Sequence, residues 1–456
     1  MPGHFPSSPT TRISIVLSVL SRSLAIAAVV LATLLLPGGL AMAENHFLAS
    51  LTVSEEYNDN IFLAPRGCTP PCADTSKVEF DFITKALPAV SMTYRAPLWD
   101  WDVSLAYNYW YYALSGFHND KSFDASLTNE TRLVRDLLFF AVRDTYNRVS
   151  LDITQDYTKQ STFVNQSDQN FLSATPYITL HVDDRTTVNA GYEYQNIWYK
   201  EPEVVNSEVT GTLPVQAAGT AINKVNHITH AEMVRSLSSQ MTMTLSAIYT
   251  KDENKIENYD MSTLEGGLRY EYLDGSSLIG KFGYIWLHPA IQDSSTQPYG
   301  KIAFTHQFPK FLFNFESGLI YPEDPQHIVT REDFFTAKIS RSVERTTFGV
   351  TASLEEYRNP LKGKHLETSS YIISGTISHA VSTKSKLIAD LTVQRLEDNV
   401  LDTYTDVYLS GLRYEYRAWE RTILALEYRY TNSYSPSNYY ADYTNNRFIF
   451  EVKRDF

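Results

Sequence analysis

The chain has 456 residues, of which 20% are charged, 13% are aromatic and 43% are hydrophobic. Its net charge of −13 makes nucleic acid an unexpected partner, because phosphate binding requires a basic surface. The length allows two or three ordinary domains or one large all-β barrel, so it leaves the domain number open.

The N-terminal segment 1–43 has the features of an export signal. Arg12 and Arg22 precede an apolar stretch at 24–36, and the small-residue motif Ala-Met-Ala at 41–43 predicts cleavage, so that the mature chain begins near Glu44. Cleavage leaves 37 basic against 52 acidic side chains, a net charge of −15. An uncleaved inner-membrane anchor is the alternative, because the basic leader and the apolar core are both long.

The mature chain is dominated by segments whose hydrophobicity alternates. No later apolar stretch reaches the roughly 18 residues that a transmembrane helix needs. In 101–113, Val103, Leu105 and Tyr107 share one face, opposite Asp102 and Ser104. The same period of two recurs at 47–57, 386–394 and 422–430. Each segment predicts a strand with one apolar and one polar face.

Short and long connections alternate between these segments. Short connections fall near 96–100, 134–136, 182–186, 236–240, 273–277, 309–310, 343–346, 381–385 and 417–421. Longer ones include 58–79, 149–166, 201–224, 287–296 and 433–443. This rhythm is typical of membrane barrels with tight periplasmic turns and longer extracellular loops. We therefore predict an all-β fold, a single transmembrane antiparallel up-and-down β-barrel over 44–456.

The connections also predict the size of the barrel. Nine short and ten longer connections join about 20 strands. Irregular segments around Pro88 and Pro176 widen the prediction to between roughly 16 and 22 strands.

The sequence GLRYEY occurs twice, at 267–272 and at 411–416. On a strand, the leucine and tyrosines share one face, and Arg and Glu share the other. We interpret the tyrosines as part of an outward aromatic girdle at the turn end and the ionic residues as inward. Chance repetition in a Tyr-rich barrel is the alternative. The predicted pore-lining residues are Glu193, Arg269, Glu271, Arg413, Glu415, Glu427 and Arg429.

The last residues carry an alternating apolar pattern that ends on an aromatic. Phe448, Phe450, Val452 and Phe456 share one face, and the chain stops at Phe456. This pattern resembles the final strand of bacterial outer-membrane β-barrel proteins, which implies recognition by the barrel-insertion machinery and residence in the outer-membrane lipid. Arg454 departs from the pattern, at a cost of about 0 to 1 kcal/mol near the interface.

A second resemblance lies near the start of the mature chain. EYNDNIF, followed by the proline-containing strand FITKALPAVSMTY, is similar to β-barrel porin families linked to exopolysaccharide export. The resemblance implies a passive channel or secretion pore and supplies no catalytic residue. Asn58, Asp59 and Asn60 within this motif suit turn chemistry, with calcium binding as the alternative.

Motifs for chemistry are missing from the sequence. His227 and His230 are three residues apart, which places them on opposite faces of a strand, so they predict no shared metal ion. We expect no cofactor and no enzymatic activity, because the chain has no nucleophile elbow, zinc-binding helix, haem-attachment motif or phosphate loop. A small-barrel enzyme with residues drawn from distant strands is the alternative. Cys68 and Cys72 predict a disulfide at a loop tip.

These features predict a passive outer-membrane channel for solutes or exported polysaccharide. Barrels of 16 to 18 strands already leave an aqueous channel, and about 20 strands leave a wider one. The alternative is a barrel that sleeves a periplasmic partner, such as an electron-transfer cytochrome or an export lipoprotein. The loops at 149–166 and 201–224 could fold inward as a plug in either case.

Overall fold

A computed structural model describes most of residues 44–456 as one closed sheet. The described residues are 44–65, 80–114, 120–151, 166–200, 221–254, 258–290, 293–322, 330–358, 366–436 and 442–456. Twenty antiparallel strands each pair with their neighbours in sequence, and β1 also pairs with β20, so the sheet closes on itself. The predicted barrel of about 20 strands is confirmed.

The strands range from 9 to 18 residues in length. The first ten are β1 (Glu44–Asn58), β2 (Asp81–Arg95), β3 (Trp99–Tyr112), β4 (Asp120–Val134), β5 (Leu138–Ser150), β6 (Gln166–Asp183), β7 (Thr186–Tyr199), β8 (Lys224–Ser236), β9 (Met241–Asn254) and β10 (Tyr259–Leu273). The others are β11 (Ser276–Pro289), β12 (Ser295–Gln307), β13 (Leu312–Ile320), β14 (Arg331–Val343), β15 (Thr346–Arg358), β16 (Leu366–Ala380), β17 (Ser385–Asp398), β18 (Thr403–Trp419), β19 (Thr422–Tyr434) and β20 (Tyr443–Asp455). The described part of the chain contains no helix that could cross a membrane.

Cross-strand register sorts the side chains into two walls. Leu412 lies opposite Tyr428 and Tyr414 lies opposite Leu426, whereas Arg413, between them, lies opposite Glu427. Among these apolar residues Leu412, Tyr414 and Leu426 are exposed, with Leu426 at 59%. In a membrane barrel the apolar set contacts lipid, so the ionic set forms the inner wall.

The connections follow the predicted alternation. Nine tight connections join β2–β3, β4–β5 and so on to β18–β19, and the strand ends that the ten others join lie at the opposite end of the barrel. Two of those ten, β9–β10 and β17–β18, have only four residues and are exceptions to the alternation in length. The connection between β10 and β11 has only Asp274 and Gly275 between the strands, and Gly275 has a φ of 68°. Glycine adopts this left-handed conformation without steric cost, which permits so short a turn.

Pro88 and Pro176 explain the irregular segments noted in the sequence. Both residues lie within strands and pair with the preceding neighbour, Pro88 with Leu51 and Pro176 with Phe140. Toward the following neighbour the ladder is interrupted, between Ala86 and Ala89 in β2 and between Ala174 and Tyr177 in β6. Proline has no N–H to donate, so one side of each ladder is lost while the strand continues.

Hydrogen bonds of Asn and Asp side chains join the first and last strands at the loop end, an arrangement that we call the seam clasp. Asn446 donates from its backbone N and its Nδ2 to the carboxylate of Asp59, each at 2.6 Å. Asn445 Nδ2 donates to Asn58 Oδ1 at 3.0 Å and to the Asn60 carbonyl at 2.7 Å. The clasp thus adds side-chain hydrogen bonds to the backbone ladder that closes the ring.

Candidate functional site

The inner wall of the barrel is the candidate site, because it carries all the predicted pore-lining residues. The register places Arg413 opposite Glu427 and Gly411 opposite Arg429, with Glu415 two residues after Arg413 on the same wall. Arg269 and Glu271 share the inner wall of β10, and Glu193 lies on that of β7. Their role in lining a pore remains a prediction.

Four of these residues meet in one group, which we call the ionic cluster. Arg413 donates to Glu415 at 2.8 Å, to Glu427 at 2.9 Å and to Glu451 at 2.7 Å. Arg429 also donates to Glu427. A guanidinium has five N–H groups in a fixed fork, which allows a single Arg413 to join three strands.

The remaining predicted residues lie outside the ionic cluster. Arg269 binds Glu271 along the same strand at 2.7 Å, where both side chains are about half exposed. Glu193 accepts hydrogen bonds from Ser173 at 2.7 Å and Gln195 at 2.8 Å. The inner wall therefore has one strongly cross-linked region and several separate contacts.

Several inner-wall ion pairs were missed by the sequence analysis. Glu451 completes the ionic cluster from β20, and Glu56, which is 2% exposed, binds Lys85 at 2.6 Å across β1 and β2. Lys281 binds Glu265 at 2.9 Å. Strand alternation alone could have assigned these residues to the inner wall, but their partners depend on register, which no short motif encodes.

The segment after the seam clasp folds back onto the inner wall at the loop end. Ile61, Ile83 and Tyr112 form a buried cluster, with Phe62 and Trp110 packed against it. Asn60 fixes this segment: it accepts from Ala64 N at 2.8 Å and donates to the carbonyls of Ala64 at 3.0 Å and Thr444 at 2.9 Å. The segment narrows the barrel mouth beside β1, β2 and β3.

The inner wall of β1 to β5 also forms a shallow groove of about 370 Å³. Its lining consists mostly of small residues such as Ser104, Ser126 and Thr145. Ser104 and Ser126 hydrogen-bond to one another at 2.7 Å. Asp124 and Arg143 are the charged residues of the lining. Small side chains therefore leave a shallow depression in this part of the inner wall.

The Asn-Asp-Asn motif is used for structure. The side chains of Asn58, Asp59 and Asn60 all hydrogen-bond to the protein within the seam clasp and the following turn. This geometry favours the turn interpretation over calcium. Within the described ranges, no group of three or more His, Cys, Asp or Glu side chains is arranged to hold a metal ion.

His227 and His230 lie on opposite walls, as the sequence predicts. His227 contacts the Tyr192 hydroxyl at 2.6 Å on the outer wall. His230 lies on the inner wall over Gly191, where an added Cβ would come within 2.8 Å of the imidazole. Both side chains therefore have structural contacts.

The GLRYEY tyrosines belong to the outer wall near the tight turns. Tyr270 lies 37% exposed, and Tyr272 binds His306 Nδ1 at 2.7 Å while stacking parallel to Phe304. In the second copy, Tyr414 and Tyr416 are both exposed. Tyrosine suits a lipid interface, because its ring is apolar and its hydroxyl is polar.

The proposed insertion-signal residues lie on the outer wall of β20. Phe448 and Phe450 lie opposite Tyr428 and Leu426 of β19, and Val452 lies opposite Leu424. Phe456 donates from its backbone N to the Ala49 carbonyl at 2.8 Å, and the Arg454 guanidinium lies 5.5 Å from the Phe456 ring centroid. Their recognition by insertion machinery stays a prediction. The predicted Cys68–Cys72 disulfide and the signal at 1–43 lie outside the described residues.

Comparison with known proteins identifies the fold alone. No family model and no curated protein matches the chain. A ferric enterobactin receptor mutant from Pseudomonas aeruginosa is similar with a TM-score of 0.50 at 10% identity, over 90% of this chain and 81% of that one. The siderophore receptor PirA of the same organism has a TM-score of 0.49 at 9% identity, over 91% and 81%. The outer membrane protein OpdK, also from P. aeruginosa, has 0.46 at 8%, over 90% and 99%. The chain thus has the fold of an outer-membrane β-barrel.

Proposed function

We propose that the protein is an outer-membrane channel through which solutes diffuse passively. The observation that carries this proposal is the closed ring of 20 strands with an apolar outer wall and an ionic inner wall. Lipid satisfies no backbone hydrogen bonds, so a closed barrel suits a bilayer, and the ionic wall requires water inside.

The number of strands supports a wide lumen. Strands about 4.8 Å apart and tilted by about 40° give a circular 20-strand barrel a backbone diameter of about 40 Å. Side chains and the Ile61 segment occupy part of this space. Because barrels of about 16 to 18 strands already leave an aqueous channel, a ring of 20 strands supports the passage of ions and small solutes.

Single-channel recording in planar bilayers tests the proposal. We expect stepwise currents from the folded, purified protein and none from the same protein after heat denaturation. A folded barrel that inserts without conducting would show that the lumen is closed and would overturn the proposal.

Cysteine variants at two adjacent positions test whether the current passes through the lumen. Ser126 faces the inner wall and Ala125 the outer wall, because Ser126 lies opposite Thr145 and Ala125 opposite Tyr146. In a background with Cys68→Ser and Cys72→Ser, a bulky water-soluble maleimide should reduce the current of Ser126→Cys. The Ala125→Cys variant should keep its current, and equal blocking of both variants would contradict conduction through the lumen.

A more specific proposal is that the channel carries an exported polysaccharide. The EYNDNIF resemblance and the wide lumen support it. Polymers that pass through the lumen should interrupt the current in a way that depends on their length.

A barrel that sleeves a periplasmic partner is the second candidate, supported by the same width. Recovery of a stoichiometric periplasmic partner that abolishes the current would favour the sleeve.

A further inference from the structure

Charges on the inner wall are unevenly matched around the ring. The ionic cluster on β18, β19 and β20 joins Arg413 and Arg429 to three carboxylates, and Arg447 lies on the same wall opposite Arg429. The cations and carboxylates of this region therefore nearly balance. Other arcs of the wall carry carboxylates without such partners.

The first arc with excess acid lies on β14 and β15. Glu332 lies opposite Tyr357, and Glu355 lies opposite Phe334. No Lys, Arg or His nitrogen among the described residues lies within 4.0 Å of either carboxylate. Glu355 accepts a hydrogen bond from the Tyr357 hydroxyl at 3.0 Å. Neither carboxyl group is therefore neutralised by a cation of the described residues.

The second arc lies about half the ring away, on β3 and β4. Asp100 and Asp102 bind Arg132 and Arg95, which neutralises much of the charge at the turn end. Asp124 accepts a hydrogen bond from the neutral amide of Asn108 at 2.5 Å, and no cation of the described residues lies within 4.0 Å. Asp120 binds Arg148 at 2.7 Å and Glu130 lies 4.0 Å from Arg132, so Asp124 is the inner-wall carboxylate of this arc without a described cation nearby.

Unmatched cations on the wall are fewer than unmatched carboxylates. Inner-wall cations of the described strands without a carboxylate within 4.0 Å include Arg143, Lys338, Lys386 and Arg417. Inner-wall carboxylates without a cation within that distance include Asp124, Glu193, Glu232, Glu332, Glu355, Asp390 and Asp398. Paired charges largely cancel at the scale of the lumen, so the unmatched groups set the sign of its potential.

We infer that the lumen conducts cations in preference to anions, with Glu332 and Glu355 on one side and Asp124 on the other as major determinants. The inference rests on the channel function proposed above and names the class of solute that it favours. Carboxylates lining a water-filled pore raise the local concentration of cations and lower that of anions. The effect extends about 10 Å from the wall at 0.1 M salt and only about 3 Å at 1 M, so it is partial in a wide lumen.

The reversal potential across a KCl gradient tests the inference. With about 0.1 M KCl on one side and three times as much on the other, we expect a cation-to-anion permeability ratio on the order of 2 to 5, which falls toward one as the salt rises on both sides. The double variant Glu332→Gln, Glu355→Gln should lower the ratio by roughly a third or more, and Asp124→Asn should lower it further.

A matched variant separates lumen charge from total charge. Glu55 and Glu253 lie on the outer wall, opposite Phe450 and Val225 respectively. The double variant Glu55→Gln, Glu253→Gln also removes two negative charges, but from the outer wall. It should leave the cation-to-anion permeability ratio unchanged. Heat-dependent mobility on gels should show that every variant is folded.

The possible results distinguish the two proposals. Conduction with a ratio at or below one overturns cation preference and leaves the channel intact. Equal effects of the inner-wall and outer-wall variants also overturn it, because the lumen carboxylates would then have no special role. A folded barrel without conduction overturns the channel and cation preference together.

Discussion

The ionic cluster and the Glu332–Glu355 pair use the same residue types on the same wall, yet their surroundings differ. In the cluster, Arg413 lies directly opposite Glu427 and reaches Glu451 one strand further on. On β14 and β15, the residues opposite the two carboxylates are aromatic. Register, rather than composition, therefore decides whether a carboxylate is cross-linked to its neighbours or remains free to act on solutes.

Removal of the central cation of the ionic cluster should have the largest effect on stability. Arg413→Ala leaves Glu415, Glu427 and Glu451 close together without the guanidinium that separates them. We expect a loss of about 3 kcal/mol in the free energy of unfolding. Denaturant titration of the barrel in lipid vesicles measures it.

Lys338 is the control for this variant, since it lies on the inner wall without a carboxylate within 4.0 Å among the described residues. Lys338→Ala should change the free energy of unfolding by no more than about 0.5 kcal/mol. Similar losses in both variants would mean that the cluster does not stabilise the barrel.

The turn after the seam clasp is held by the uncharged side chain of Asn60, which allows a comparison of amide hydrogen bonds with the ion pairs of the cluster. Asn60→Ala removes the side chain that binds Ala64 N, the Ala64 carbonyl and the Thr444 carbonyl. We expect a loss of about 2 kcal/mol, because buried backbone groups lose their partners. Denaturant titration at low and high salt should give the same loss, whereas a loss that shrinks with salt would indicate an ionic contribution.

The smallest expected effect comes from comparing a Glu→Gln substitution in the ionic cluster with one in the Glu332–Glu355 pair. Glu427→Gln keeps the size of the side chain and loses the charge that binds Arg413 and Arg429, so we expect a loss of about 1 kcal/mol. Glu332→Gln should stay within about 0.5 kcal/mol, because no described cation depends on it. If both variants lost the same free energy of unfolding, the ionic cluster and the Glu332–Glu355 pair would not differ in their contribution to stability.

The sequence predicts the barrel well because a strand's two faces follow from a period of two. Local information is enough to predict the number of strands and the alternation of connections. It is also enough to assign a wall to Arg269, Tyr270, Arg413 and Tyr414. Closure follows as well, since lipid leaves no stable open edge.

The contacts within the lumen could not be predicted in the same way. Arg413 reaches Glu451 across two strand boundaries, and that distance depends on the stagger of three strands. Ile61 joins Ile83 and Tyr112 because a segment folds back after Asn60, and no periodicity in the sequence signals this packing. Long-range register and tertiary packing therefore limit the prediction of the site.

Pro88 and Pro176 have a consequence for how the wall deforms. Each interrupts the ladder to its following neighbour while the other side of the strand stays bonded. A ring without free edges responds to lateral pressure within its ladders, and at these two places the ladder is interrupted inside a pair of long strands. Amide hydrogens of β3 and β7 facing the two gaps should exchange with solvent faster than those elsewhere in the same strands, which would mark the gaps as places where the wall opens locally.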